Sequence, residues 1–329
     1  MRFPALIAVV ALGAAGAAHA DPALRAQGLQ LFGILKPHTE AASPQVELGR
    51  EIFWDERLSL DGKTACASCH FARDWGADRR RFSPDARGAL TSRHSPTVFN
   101  SMSQPMLRWL ADRKTGADQA ESSLVGSMGF ASKDAGVAKL NELGYLPKFR
   151  AAFPQDAQPV SAASYSRALA AYQATLVTPA PFDRFLAGDD RALSEPQKAG
   201  MRRFIATGCA GCHEGTNLGG SMLQKFGVTK DYWTETGSEK PDAGRFSVTK
   251  KEEDRYVFRV PMLRNVAKTA PYFHDGSVER LDRAVKIMAN VQLGRNLSDS
   301  ETAEIISFLE SLTGEVPANY APPGKRPAL

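Results

Sequence analysis

The sequence predicts a mostly α-helical protein made of two similar halves. Three observations lead there. Apolar residues recur at helical spacing in segments that open on capping residues, strand-like alternations are few and short, and one short motif occurs twice, as "CASCH" at 66–70 and "GCAGCH" at 208–213. Each copy follows a similar lead-in, "GREIF" at 49–53 and "GMRRF" at 200–204, as a duplicated unit would. With 329 residues, 43% of them apolar and 23% charged, the chain is long enough for two cores, and no segment looks dominated by disorder.

Residues 1–20, "MRFPALIAVVALGAAGAAHA", read as a signal peptide: Arg2 precedes an apolar stretch that ends in the small-x-small pattern Ala18-His19-Ala20. Cleavage there places the protein in the periplasm. The alternative, an uncleaved anchor, is disfavoured because Ala and Gly make the stretch weakly hydrophobic. No later segment would span a bilayer, so no membrane contact is expected after cleavage.

Residues 21–178 are expected to form the first domain. Ser43 and Pro44 start the helix that carries the first lead-in. Tyr165, Leu169, Tyr172 and Leu176 share one helical face, and "VTPAPFD" at 177–183 breaks that helix and reads as a hinge. Residues 179–315 are expected to form the second domain. There Ser194 and Pro196 start a helix, and Ser298 with Glu301 makes a capping box. Ile305, Phe308, Leu309 and Leu312 form an apolar stripe, and Gly314 is expected to close the helix. From Val316 to residue 329 the chain reads as a flexible Pro-rich tail.

The formal charge of +5 is carried by Lys and Arg interleaved with Asp and Glu, without a basic stripe, which argues against a nucleic-acid partner. The four cysteines all belong to the two motifs. In an exported chain they would ordinarily suggest disulfides, and Cys-x-x-Cys pairs also suit zinc. Neither explains why His70 and His213 each follow the second cysteine directly. Cys-x-x-Cys-His is the attachment signature of haem c, in which both thiols form thioethers and the adjoining imidazole reaches the iron. Two copies that use every cysteine point to two covalent haems, bound by Cys66, Cys69 and His70 and by Cys209, Cys212 and His213. The expected fold is therefore two cytochrome c-like domains, each with one covalently attached haem c.

Beyond His19, only His38, His94 and His274 remain as further histidine ligands. Methionine is the other common ligand and raises the reduction potential. Met288 is available, but helical spacing also places it with Leu281 and Val285 on an apolar face, where a core methionine is the ordinary reading.

Taken together, "ELGREIFWDERLS", "CASCH", "RHSPTVFN", "TLVTPAPFDRFLAGD", "GCAGCH", "DRYVFRVPMLRNVAKTAPYFHDGSV" and "AVKIMANVQLG" resemble the bacterial di-haem cytochrome c peroxidases and their relative MauG, from about Val46 to Gly314. The resemblance implies that the first haem is the low-potential centre where hydrogen peroxide reacts, and that the second receives electrons from a cytochrome c or a small copper protein. It implies that Met288 is the distal ligand of the second iron, where MauG has tyrosine. Trp109 matches the tryptophan between the haems, and Gln119 matches a polar residue of the peroxide pocket. Relatives are often homodimers.

Three departures from the family pattern stand out. Residues 71–93 contain no histidine where peroxidases place a releasable distal one, so the first haem is expected to be open, as in MauG. Ser127 stands where the pocket glutamate is usual, with Glu121 as a substitute proton shuttle. His94 replaces an asparagine that helps hold calcium in relatives, although the carbonyls of Thr269 and Pro271 would remain. Arg245, Arg259 and Arg264 are candidate partners for haem propionates. The leading functional reading is peroxide reduction. The alternatives are MauG-like oxidation of a Trp or Tyr on a protein substrate, and non-catalytic electron carriage.

Overall fold

The computed structural model describes residues 21–38 and 43–327, so the signal-peptide reading of residues 1–20 lies outside the described residues. The described chain is mostly helical. The first half contains α1 (Pro22–Leu31), α2 (Pro44–Trp54), α3 (Gly116–Ser123), α4 (Lys133–Glu142), α5 (Leu146–Ala152) and α6 (Ala162–Ala174). The second contains α7 (Pro181–Leu186), α8 (Glu195–Thr207), α9 (Tyr232–Thr236), α10 (Phe246–Thr249), α11 (Leu281–Leu293) and α12 (Asp299–Glu310). A short antiparallel pair, β1 (Leu223–Lys225) and β2 (Val257–Arg259), sets Leu223 opposite Arg259.

Helix starts follow the capping chemistry. Ser43, Ser194 and Ser298 each accept a hydrogen bond from the backbone N–H of the third residue of the helix they open, and Pro occupies the first turn of α2 and α8. The repeated lead-in has a packing cause. A Cβ added at Gly49 of α2 would overlap the carbonyl oxygen of Ala168 in α6, and one at Gly200 of α8 would overlap that of Glu304 in α12. Each half thus holds one helix pair crossed at backbone contact. Four residues after each glycine, Phe53 and Phe204 lie 6.5 Å, centroid to centroid, from the rings of His70 and His213.

The segment read as a hinge is a fixed seam. Thr178 and Ala180 are buried. Thr178 Oγ1 accepts from Asn100 Nδ2 at 2.8 Å and Asn265 Nδ2 at 2.9 Å, and its N–H donates to Asn100 Oδ1 at 2.9 Å. Asn100 (φ 58) and Asn265 (φ 62) are both left-handed, a conformation asparagine tolerates better than most residues. Gly314 does not close α12, whose C-cap is Ser311. It packs so tightly on this seam that an added Cβ would reach the Thr178 carbonyl, and its N–H donates to Asn265 Oδ1.

Both chain ends depart from the linear division into 21–178, 179–315 and a tail. Leu24 and Phe32 belong to the second core, where Phe32 meets Phe182 edge-on at 5.7 Å. The tail expected to be flexible returns to the first core instead: Tyr320 is buried among Phe53, Trp54 and Phe99, and Arg50 Nε donates to the Ala321 carbonyl at 2.8 Å. The reason is the sequence of the tail itself, which carries a large aromatic that the first core has room to bury. A third apolar cluster joins Trp109 and Leu110 of the first half to Phe226, Tyr232, Phe258 and Tyr272 of the second.

Candidate haem sites

Each motif forms a single turn of 3-10 helix at Cys66–Ser68 or Cys209–Gly211, which brings its two cysteines and following histidine to one cavity wall. His70 Nδ1 lies 2.8 Å from the Gly76 carbonyl and His213 Nδ1 lies 3.1 Å from that of Leu218. A carbonyl only accepts, so each Nδ1 carries the proton and each Nε2 is left as the basic nitrogen, the arrangement found in metal-ligating histidines. Burial lowers both imidazole pKa values, that of His213 to about 4, so both rings are held in the neutral form a metal requires. Burial pushes the thiols the other way, Cys66 to about 12 and Cys209 to about 11.

None of the four cysteines is joined in a disulfide in the structure. The zinc alternative fails on ligand number, because among the described residues no three His, Cys, Asp or Glu side chains are grouped to hold a metal ion. A paired thiol edge with one neutral imidazole, opening into a large cavity, fits haem c.

The second cavity, with about 1220 Å³ of empty space including its mouth, is apolar. Helix α11 lines it with Leu281, Val285 and Met288, so the helical stripe that reads as core faces the cavity that also holds His213. The first cavity, about 1760 Å³ including its mouth, is more polar. Gln119 lines it and accepts from Arg108 Nε at 2.7 Å. Ser127 and Met128 line it too, whereas Glu121 is not on its wall and pairs with Lys133. His94 is buried on the same wall. Its Nδ1 donates to the Arg80 carbonyl at 3.2 Å, and its own carbonyl accepts from Trp109 Nε1 at 2.8 Å.

Trp109 and Arg259 line both cavities and form their common wall. Of the three arginines singled out from sequence, Arg264 is buried against Asp183 in a two-pronged ion pair, and Arg245 binds the Leu110 carbonyl and faces Asp254 at 3.5 Å. His274 also lines the second cavity. It stacks on Phe258 at 4.2 Å, its Nε2 is 3.8 Å from Asp242, and burial depresses its pKa to about 4. Thr269 and Pro271 line neither cavity, and Pro271 and Arg81 both pack against Gly276.

Sequence reasoning missed Tyr320, whose hydroxyl donates to the His70 carbonyl at 2.6 Å from 250 residues away. It also missed Gln104, which meets the Arg259 guanidinium. Neither residue stands in a motif, so no local signal pointed to them.

A family model described as di-haem cytochrome c peroxidase matches residues 43–191. The cytochrome c551 peroxidase of Pseudomonas aeruginosa is 42% identical over 286 residues, covering 83% of this chain and 80% of that protein. The chain belongs to the di-haem cytochrome c peroxidase family. The chain is also 32% identical to the methylamine utilization protein MauG of Methylophilus methylotrophus, over 81% of this chain and 82% of that one. Among solved structures, a MauG-like protein associated with microbial copper homeostasis superposes with a TM-score of 0.76 at 26% identity, covering 89% of this chain and 98% of the other. The chain is an oxidoreductase of the peroxidase type, and membership implies two haem c groups.

Proposed function

We propose that the protein reduces hydrogen peroxide to two waters in the periplasm, using two electrons delivered by a cytochrome c or a small copper protein. The observation that carries the reading is the shared wall: two cavities, each with one Cys-x-x-Cys-His motif, meet at Trp109 and Arg259. When bound, the haems supply the redox chemistry, which the chain must divide between a site that admits peroxide and a site that relays electrons.

His70 and His213 would hold the two haems through Nε2, each imidazole oriented by its Nδ1–H bond. Met288 lines the same cavity as His213, and its thioether would serve as a second ligand that raises the potential there, as an electron-accepting site requires. In the first cavity Gln119, held by Arg108, offers its amide N–H groups to peroxide. Trp109 separates the two centres, and its indole is fixed by the His94 carbonyl. A calcium ion at the Thr269 and Pro271 carbonyls is disfavoured, because His94 puts an imidazole where the resemblance calls for an asparagine oxygen. The periplasmic assignment rests on residues 1–20. Among the described residues no helix is long and apolar enough to cross a membrane.

Partner-protein oxidation is a second reading, favoured by the state of the carboxylates on the first cavity's wall. Asp85 pairs with Arg87 at 2.7 Å and Asp112 with Arg113 at 3.0 Å, so neither is a ready proton donor for fast turnover. Stopped-flow mixing with peroxide distinguishes the two. Rapid turnover with reduced cytochrome c or a small copper protein supports peroxide reduction. A long-lived oxidised state without donor turnover supports the second reading, and a first haem inert to peroxide overturns both.

A further inference from the structure

Arg259 ends β2 and is only 4% exposed. A guanidinium offers five N–H donors, and hydrogen bonds account for two: Nε donates to the Arg108 carbonyl at 2.9 Å, and a terminal nitrogen donates to Gln104 Oε1. Both acceptors are neutral. None of the ion pairs among the described residues includes Arg259, in contrast to Arg264, which meets Asp183. Burial alone drives the Arg259 pKa down, to about 10. An ion taken out of water without a counter-ion is strongly disfavoured, so this position calls for an anion that the polypeptide does not supply. Both cavities touch Arg259, and each haem c carries two propionate carboxylates.

We propose that Arg259 is a shared propionate-binding residue, whose single buried charge holds a carboxylate of each haem and so sets both reduction potentials together. The proposal rests on the di-haem reading. It also gives Arg259 a second task. Its backbone N–H donates to the Trp109 carbonyl at 2.7 Å and its Nε to Arg108 next door, so the residue that would anchor both haems also fixes the loop carrying the tryptophan between them. Arg108 (φ 63) and Ala111 (φ 52) are left-handed, and these bonds from the other half of the chain help hold that costly backbone.

The test is potentiometric titration of the holoprotein, with the two haems resolved by their optical and electron paramagnetic resonance spectra. Haem content is measured first: fewer than two haems per wild-type chain sinks the di-haem reading rather than this assignment. With two haems present, Arg259→Gln is expected to lower both midpoint potentials, since removing a nearby positive charge favours the ferric state, and Arg259→Lys to restore both toward the wild-type values. Gln104→Glu, nearly isosteric, places a carboxylate against the guanidinium and is expected to lower the second haem's potential as well as the first, although Gln104 lines only the first cavity. Unchanged potentials, or a shift at one haem only, overturn the proposal. Should Arg259→Gln fail to fold, Gln104→Glu decides it alone.

Discussion

A thioether on a cavity wall and one in a solid core look alike in a helical repeat, and Met288 fits both descriptions until the cavity beside it is visible. With His213 lining the same cavity, Met288→Ala is expected to lower the second haem's midpoint potential and leave the first unchanged. A titration in which the second potential stays put removes the ligand assignment. Trp109→Phe keeps the ring between the cavities but loses the N–H bond to the His94 carbonyl, at a cost of about 1 kcal/mol. Its expected signature is slower electron exchange between haems at full haem content, read by following the reduced second haem after peroxide is added. His274 answers to pH. Its pKa is about 4 when folded against 6.5 as the reference value, so above pH 6.5 it is neutral in both states. As pH falls from 6.5 through 4 the unfolded chain takes up the proton first, and folding loses on the order of 3 kcal/mol. His274→Phe, which retains an aromatic ring over Phe258, should flatten stability across that window in thermal melts; an unchanged slope would exclude the buried neutral histidine as its source.

Helices show which local signals suffice. Ser43, Ser194 and Ser298 open their helices as capping chemistry requires, because the cap and its N–H partner lie within three residues of each other. The seam was illegible for the opposite reason. Thr178 sits in a run of Pro and Ala that looks like a breaker, yet its partners Asn100 and Asn265 lie 78 and 87 residues away. Gly314 looked like a helix stop because it follows α12, while its contacts are to that same seam. The lead-in glycines were recognised as a repeat, but only the crossing of α2 with α6 and α8 with α12 explains them. Gly49→Ala and Gly200→Ala should each cost about 1–3 kcal/mol through overpacking. Denaturation curves that match the wild type would show that the helices can separate without penalty.

At the scale of the molecule, the two haem motifs were readable because Cys-x-x-Cys-His is a local pattern. The wall between them was not, since Arg108 and Arg259 meet across 151 residues. The exchanged chain ends were equally hidden, for a tail rich in Pro gives no sign of the core that receives it. Removing residues 316–329 strips Tyr320 from that core, a loss of about 3–5 kcal/mol by analogy with large aromatic deletions. The optical spectrum of the first haem should change while that of the second stays as it was; equal disturbance of both would show that the strap acts on the whole fold. There is also a consequence for the order of assembly. A polypeptide emerges N-terminus first, and Tyr320 follows His70 by 250 residues. The compartment around Cys66 and Cys69 therefore cannot be latched until residues 179–315 have followed it out, which leaves those thiols open to haem attachment while the second half is still arriving.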